Sequence, residues 1–269
     1  MENYFKNKVV AITGGTSGIG EALIEMLLPL GAKVGTCGRN QSKLYDLQLK
    51  YHSLPFHCVV ADVSKLNDCK MFIDSTIKQF GSIDILINNA GISMRALLKD
   101  ADFEVFRRTM DINYFGTVYC TKLALESIIK TKGSIVGVSS IAGFRGLPGR
   151  SGYSASKFAL NGWLEAIRTE LVKDDVNVLC VCPGFTRSNI RNAALNENAE
   201  ATGESKMDEE KMMSPEECAS HILNAIEKRK RTLILTSTGK RAVFMNKFFP
   251  SFTDKLIRKF YFKKGKLIK

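Results

Sequence analysis

Histidine is scarce in this chain, with three in 269 residues. No spacing of His and Cys suits zinc, so no metal site is expected. The seven cysteines are an odd number at scattered positions, and Cys180 and Cys182 alternate along an apolar run. They read as reduced core thiols, not as a disulfide framework. No run of about 18 apolar residues occurs, so no membrane-spanning helix is expected. Met1-Glu2-Asn3-Tyr4-Phe5-Lys6 has no apolar stretch of the kind a secretory leader needs. Internal repeats and low-complexity segments are also missing. These absences point to a reducing, cytoplasmic compartment and to one large α/β domain, which suits a chain of this length.

Acidic residues are nearly missing from one end. Between Lys228 and Lys269 stand 14 Lys/Arg and a single acid, Asp254. The rest of the chain carries 25 Lys/Arg against 26 Asp/Glu, so the net charge of +12 belongs to the tail and not to the body.

What is present is an alternation of apolar strands and amphipathic helices. Strands are expected at Lys8–Ile12, Lys33–Cys37, Phe56–Ala61, Ile83–Ile87, Ser134–Ser139, Val176–Cys182 and Thr232–Leu235. Helices are expected at Gly18–Leu30, Ser42–Tyr51, Lys65–Phe80, Ser154–Val172, one long helix at Phe103–Lys130, and one starting at Ser214-Pro215-Glu216-Glu217. Near-continuous Val/Ile runs joined by helices imply a parallel sheet buried on both faces. Right-handed crossovers then give a doubly wound, seven-stranded sheet of Rossmann type in three α/β/α layers, with its ligand crevice at the carboxyl ends of the strands. We expect a catalytic domain over 1–238, with a polar lid at Arg187–Met213, and a basic aromatic extension over 239–269.

Thr13-Gly14-Gly15-Thr16-Ser17-Gly18-Ile19-Gly20 lies between the first strand and first helix. A glycine loop there brings backbone N–H groups and a helix N-terminus to a dinucleotide pyrophosphate. Gly14 permits the turn, Gly18 the close approach and Gly20 the helix packing. NAD calls for an acid at the end of strand two. Here stand Thr36-Cys37-Gly38-Arg39-Asn40, with no acid. Arg39 can clamp a 2′-phosphate through its planar fork, which favours NADP(H) over NAD. Asp62, with Val63, follows strand three and suits the adenine amino group, or else caps the next helix.

Tyr153 and Lys157 stand four apart, and Ser140 stands thirteen residues upstream of the Tyr. A phenol of pKa about 10 is a weak acid, and a lysine cation one turn away is expected to lower that value. Tyr153 is then the acid/base, Lys157 its tuning residue and the holder of the nicotinamide ribose, and Ser140 the hydrogen-bond donor to the carbonyl oxygen. Strand alternation aims Ser139 elsewhere. Asn113, inside the long helix, is expected to bond the backbone and carry a water relay to Lys157, or else to serve only as a structural hydrogen-bond partner.

Taken together, the glycine loop, Asn88-Asn89-Ala90-Gly91, Asn113, Ser140, Tyr153-Ser154-Ala155-Ser156-Lys157 and Pro183-Gly184 resemble the short-chain dehydrogenase/reductase family over about residues 6 to 190. The resemblance implies that Asn89, Ala90 and Gly91 line the adenosine ribose, and that Pro183, Gly184 and Thr186 border the nicotinamide. Two departures stand out. Ser17 occupies a position that is basic in many NADP-preferring members, and Ser188 replaces a threonine near the carboxamide. The resemblance also implies a homo-oligomer, dimer or tetramer, built on the Phe103–Lys130 and Ser154–Val172 helices.

In the tail, Phe, Leu and Ile alternate with Lys and Arg at helical spacing. Three readings stay open for residues 240–269. They are a helix pair packed on the body with its apolar face inward, a peripheral membrane contact or lipid-like substrate entrance, and a nucleic-acid surface. No recognised nucleic-acid module accompanies the last, so no nucleic-acid partner is expected. The tail resembles that of a reductase subgroup with membrane-associated or lipid-related members. The expected activity is NADP(H)-dependent hydride transfer to a small-molecule carbonyl or from an alcohol, on a hydrophobic or lipid-like substrate. A 3-oxoacyl-thioester reductase and a non-catalytic NADP(H)-binding regulator are the alternatives.

Overall fold

The computed structural model describes residues 1–203 and 212–268. Its centre is a parallel sheet of seven strands in the order β3-β2-β1-β4-β5-β6-β7. The strands are β1 (Val9–Thr13), β2 (Lys33–Gly38), β3 (Phe56–Val60), β4 (Ile85–Asn88), β5 (Ser134–Val138), β6 (Asn177–Cys182) and β7 (Thr232–Ile234). Every residue of β1, β4, β5 and β6 is buried, as expected of strands covered on both faces. The chain order reverses between β1 and β4, which opens the crevice at their carboxyl ends.

Helices pack on both faces. After the short α1 (Glu2–Phe5) come α2 (Gly18–Leu27), α3 (Gln41–Lys50), α4 (Leu66–Phe80), α5 (Phe103–Met110), α6 (Gly116–Lys130), α7 (Ser151–Glu170) and α8 (Pro215–Glu227). Strand alternation divides the core between the two faces. Ile135 faces a layer with Phe72, Ile128 and Leu164, whereas its neighbour Val136 faces Leu23, Ile24 and Ile222. Burying a Leu or Ile side chain is worth about 1.5–3 kcal/mol, so either layer alone outweighs any single polar contact in the sheet.

The long helix expected at Phe103–Lys130 is not continuous. Between α5 and α6, residues Asp111–Phe115 form one wider π-type turn. Its cause lies in the tertiary structure. Asn113 turns inward, where its Oδ1 accepts from Ile92 N at 2.8 Å and its Nδ2 donates to Ile92 O at 2.9 Å. Gly116 then presses on Val63, where an added Cβ would meet the backbone oxygen at 2.9 Å. Single wide turns of this kind recur at functional sites.

Element ends differ from expectation by a few residues. α7 starts at Ser151 rather than Ser154, so Tyr153 falls in its first turn. The fourth strand runs Ile85–Asn88, two residues late at its start. α1 was not foreseen.

The C-terminal extension forms α9 (Ser237–Phe248), α10 (Pro250–Tyr261) and a small hairpin, β8 (Phe262–Lys263) with β9 (Lys266–Leu267). The hairpin turn has positive φ at both Lys264 and Gly265, the geometry that tight hairpins favour. Among the described residues, no helix is long and apolar enough to cross a membrane.

Candidate active site

One cavity of about 990 Å³ runs along the carboxyl edge of the sheet, from β2 and β3 across to β7 and the C-terminal helices. The glycine loop floors one end of it. Gly14 has φ +73°, a region that glycine enters without strain. A Cβ on Gly20 would lie 2.3 Å from the Gly14 carbonyl oxygen, so the helix start and the loop approach as closely as backbones can. Asn89 locks the loop to β4. Its Nδ2 donates to the Thr13 and Gly14 carbonyls at 3.1 and 3.0 Å, and Asn89 N and Ala90 N both donate to Thr13 Oγ1 at 3.0 Å. Ser17 is the N-cap of α2, yet its hydroxyl makes no capping bond and lines the cavity with Thr16, Gly18 and Ile19. The loop, the helix N-terminus and the open groove fit a dinucleotide pyrophosphate.

Arg39, Asn40, Asp62, Val63, Ala90 and Gly91 line this same end. Asn40 is also occupied locally, capping α3 by accepting from Lys43 N at 3.0 Å. Asp62 Oδ1 accepts from Ser64 N at 3.0 Å and Ser64 Oγ at 2.8 Å; Asp62 lines the cavity and does not cap α4, whose N-cap is Lys65. Lys43, one turn beyond Arg39, lines the cavity too and was overlooked in the sequence. Its i+4 spacing from Arg39 is the signal that could have found it.

At the other end, Ser140, Tyr153 and Lys157 meet around the cavity with Pro183, Gly184, Thr186 and Ser188. Ser140 follows β5, and Tyr153 is 8% exposed. Ser139 points away, its hydroxyl 2.5 Å from Asn161 Oδ1. The Asn113 Nδ2 donates to Ser156 Oγ at 2.9 Å, and Ser156 Oγ donates to the Tyr153 carbonyl at 2.8 Å. This chain of bonds ties α7 to the wide turn between α5 and α6. The Asn113 side chain bonds the Ile92 backbone, as the sequence led one to expect.

The tuning of the phenol differs from expectation. The Lys157 ammonium donates to the Val138 carbonyl at 2.9 Å and lies 5.8 Å from the centre of the Tyr153 ring. Burial dominates both groups, because a low-dielectric surrounding penalises the charged form of each. It raises the Tyr153 pKa, against which the Ser140 hydroxyl and the charges of Arg150 and Arg191 act downward. It brings the Lys157 pKa down to about 8. Arg150 and Arg191 are further cations that favour the phenolate, and the Tyr–Lys spacing gave no reason to name them. Arg150 stands three residues before Tyr153, one turn away at the N-cap of α7.

The expected lid contributes a wall. Ser188, Asn189, Ile190, Arg191 and Ala193 line the cavity, and the segment is pinned by bridges between Thr186 and Met213 and between Met94 and Leu195. The remainder of that expectation, residues 204–211, lies outside the described residues. The C-terminal extension builds the opposite wall from Ala242, Leu256, Ile257, Phe260 and Tyr261, so part of it packs on the body beside the cavity, while the residues themselves were not named in the sequence. Tyr261 is 2% exposed, and Phe260 stacks on Phe185 at 6.4 Å between ring centres. The extension does not turn its apolar face wholly inward. Phe244, Phe248, Phe249 and Phe252 are each more than half exposed. All seven cysteines are free, and no cluster able to hold a metal occurs among the described residues.

Comparison with known proteins agrees with this geometry. Dehydrogenase/reductase SDR family member 7B of Xenopus laevis is 33% identical over 92% of this chain and 80% of its own length. An uncharacterized oxidoreductase, YxnA, of Bacillus subtilis is 34% identical over 94% of this chain and 72% of its own. A short chain dehydrogenase/reductase from Burkholderia phymatum, solved in complex with NAD, has the same fold with a TM-score of 0.80 at 22% identity, covering 92% of this chain and 95% of that one. The profile of the short chain dehydrogenase family matches residues 8–199, and the chain belongs to that family of nicotinamide-dependent oxidoreductases.

Proposed function

We propose that the protein is an NADP(H)-dependent reductase of a hydrophobic carbonyl compound, acting at a membrane surface. The observation that carries the reading is one continuous cavity holding Ser140, Tyr153 and Lys157, open to the glycine loop at one end and walled by the C-terminal helices at the other. A bound nicotinamide supplies hydride to the carbonyl carbon. Ser140 donates a hydrogen bond to the carbonyl oxygen, and Tyr153 delivers the proton. With its pKa raised by burial, the phenol keeps its proton at neutral pH until substrate needs it. Arg150 and Arg191 lessen the cost of the phenolate left behind. Lys157, anchored on Val138, and Asn113, anchored on Ile92, hold the two sides of the site in register.

NADP(H) over NAD(H) rests on Arg39, with Lys43 beside it, at the end of β2. Membrane contact rests on the exposed phenylalanines of α9 and α10 among basic residues, an arrangement suited to an interface rich in anionic lipid. Self-association rests on the exposed Phe115 and Phe158 of the α6–α7 face. Tyr153→Phe tests the central claim. NADPH consumption on a panel of hydrophobic ketones falls by about 10²–10⁴-fold, the usual contribution of acid/base catalysis. Undiminished turnover would remove Tyr153 as proton donor, and NADPH binding without turnover in the native enzyme would favour the regulator reading.

A further inference from the structure

Charge is distributed unevenly along the cavity. Among the described residues that line it, the cations are Arg39, Lys43, Arg150, Lys157, Arg191 and Lys259, and the one carboxylate is Asp62. Asp62 lies at the β2–β3 end with Arg39 and Lys43. The end bordered by β6, α7 and the C-terminal helices therefore holds four cations and no acid. Lys157 is committed to the Val138 carbonyl and Arg191 to the Thr186 carbonyl, at 2.9 Å each. Arg150 is different. Its Nε is buried without a hydrogen bond, and among the described residues no carboxylate pairs with it. The residue as a whole is only partly buried and lines the cavity, so an anion there can complete its fork. Beside it the wall turns apolar, through Ala242, Leu256, Ile257 and Phe260.

We propose that Arg150 is the anion-binding residue of the substrate site, so that the reacting carbonyl compound carries a carboxylate or a phosphate and lays its apolar chain along α9 and α10. This rests on the oxidoreductase reading and names the substrate class for it. Arg150 sits one turn before Tyr153 on α7, so an anion held there places the reacting end of the molecule beside the phenol. Its charge acts on both Tyr153 and Tyr261, and all three residues line the same cavity. The apolar wall selects the chain, and the arginine selects the head.

Two measurements test the assignment separately from turnover. Octanoate, octyl phosphate and octanol are titrated into the NADPH-loaded enzyme by calorimetry. We expect one or both anions to bind at least tenfold more tightly than octanol. Arg150→Gln erases that preference and Arg150→Lys restores part of it; the arm that binds best tells carboxylate from phosphate. Keto acids, keto phosphates and their matching methyl esters are then compared by kcat/KM. The ratio of anionic to ester substrate falls at least tenfold in Arg150→Gln, mainly through KM. Equal binding of octanol and both anions, or equal loss of anionic and ester turnover in Arg150→Gln, would overturn the proposal and leave Arg150 as a tuning residue for Tyr153. Anion binding that is lost in Arg150→Gln, with no ketone reduced by the native enzyme, would uphold the anion site and sink the reductase reading instead.

Discussion

Arg145, in the loop after β5, holds the Asp254 carboxylate, the lone acid between Lys228 and Lys269. The same guanidinium donates to Asn246 Oδ1 at 2.7 Å, and Asn246 Nδ2 returns a bond to the Phe144 carbonyl at 2.9 Å. A single partly buried arginine thus clasps both α9 and α10 to the body. Asp254→Asn removes one exposed charge and should cost at most about 1 kcal/mol. Arg145→Ala removes both clasps and should cost about 2–3 kcal/mol of local stability. Limited proteolysis reads the difference, with cleavage between residues 239 and 268 faster in Arg145→Ala than in Asp254→Asn. Equal cleavage in the native chain and Arg145→Ala would show that the extension is held by other means.

In the proposed NADP(H) site, Arg39→Asp replaces a phosphate clamp with a diol acceptor. The ratio of NADPH to NADH affinity should fall by about 10²-fold or more, since charge-assisted hydrogen bonds contribute about 1.5–3 kcal/mol and the new carboxylate repels the 2′-phosphate. Fluorescence titration with both cofactors checks this. An unchanged ratio would move the cofactor preference elsewhere.

Lys157 carries a pH signature. Its pKa falls from 10.5 to about 8 on folding, with burial as the chief cause. Below pH 8 the lysine is charged in both the folded and unfolded states, and the folded protein bears the full penalty of a buried cation. Between pH 8 and 10.5 the unfolded chain binds more protons than the folded one, so stability rises with pH over that window. The displacement corresponds to about 3 kcal/mol on the charged form. Lys157→Met in the cofactor-free protein should therefore raise the melting temperature at pH 7, with the gain shrinking towards pH 10. A gain that did not vary with pH would show that Lys157 is not charged at neutral pH.

Phe248 and Phe252 stand more than half exposed on the outer face of the C-terminal helices. The double change to Ser should lower sedimentation with anionic liposomes by at least tenfold, while the cavity wall, built from other residues, keeps its shape. Each buried CH₂ is worth about 0.8 kcal/mol at an apolar boundary, so two rings suffice for that effect. Equal sedimentation would remove the membrane contact and leave the extension as a substrate wall alone.

Much of the molecule was legible in order and kind. The run Val9–Thr13, the glycine loop after it and the Tyr153–Lys157 pair each carry a local signal, because strand period, turn chemistry and helical spacing act over a few residues. The wide turn at Asp111–Phe115 was not legible. It exists because Asn113 bonds the backbone of Ile92, 21 residues away, and nothing in Asp111-Ile112-Asn113-Tyr114 announces that partner. The arginines that act on Tyr153 were not legible for a similar reason. Arg191 lies far along the chain from the phenol, and only packing brings its charge to bear there.

Family, fold and the cluster of Ser140, Tyr153 and Lys157 followed from the order of residues, since each depends on short-range pattern and on crossover rules that few topologies satisfy. Where the basic tail goes was decided only by packing. Its amphipathic helices suit a membrane, a partner or the body equally well in isolation, and the Arg145 clasp with the stacking of Phe260 on Phe185 turned one flank into a wall of the cavity while leaving the phenylalanines of the other in solvent.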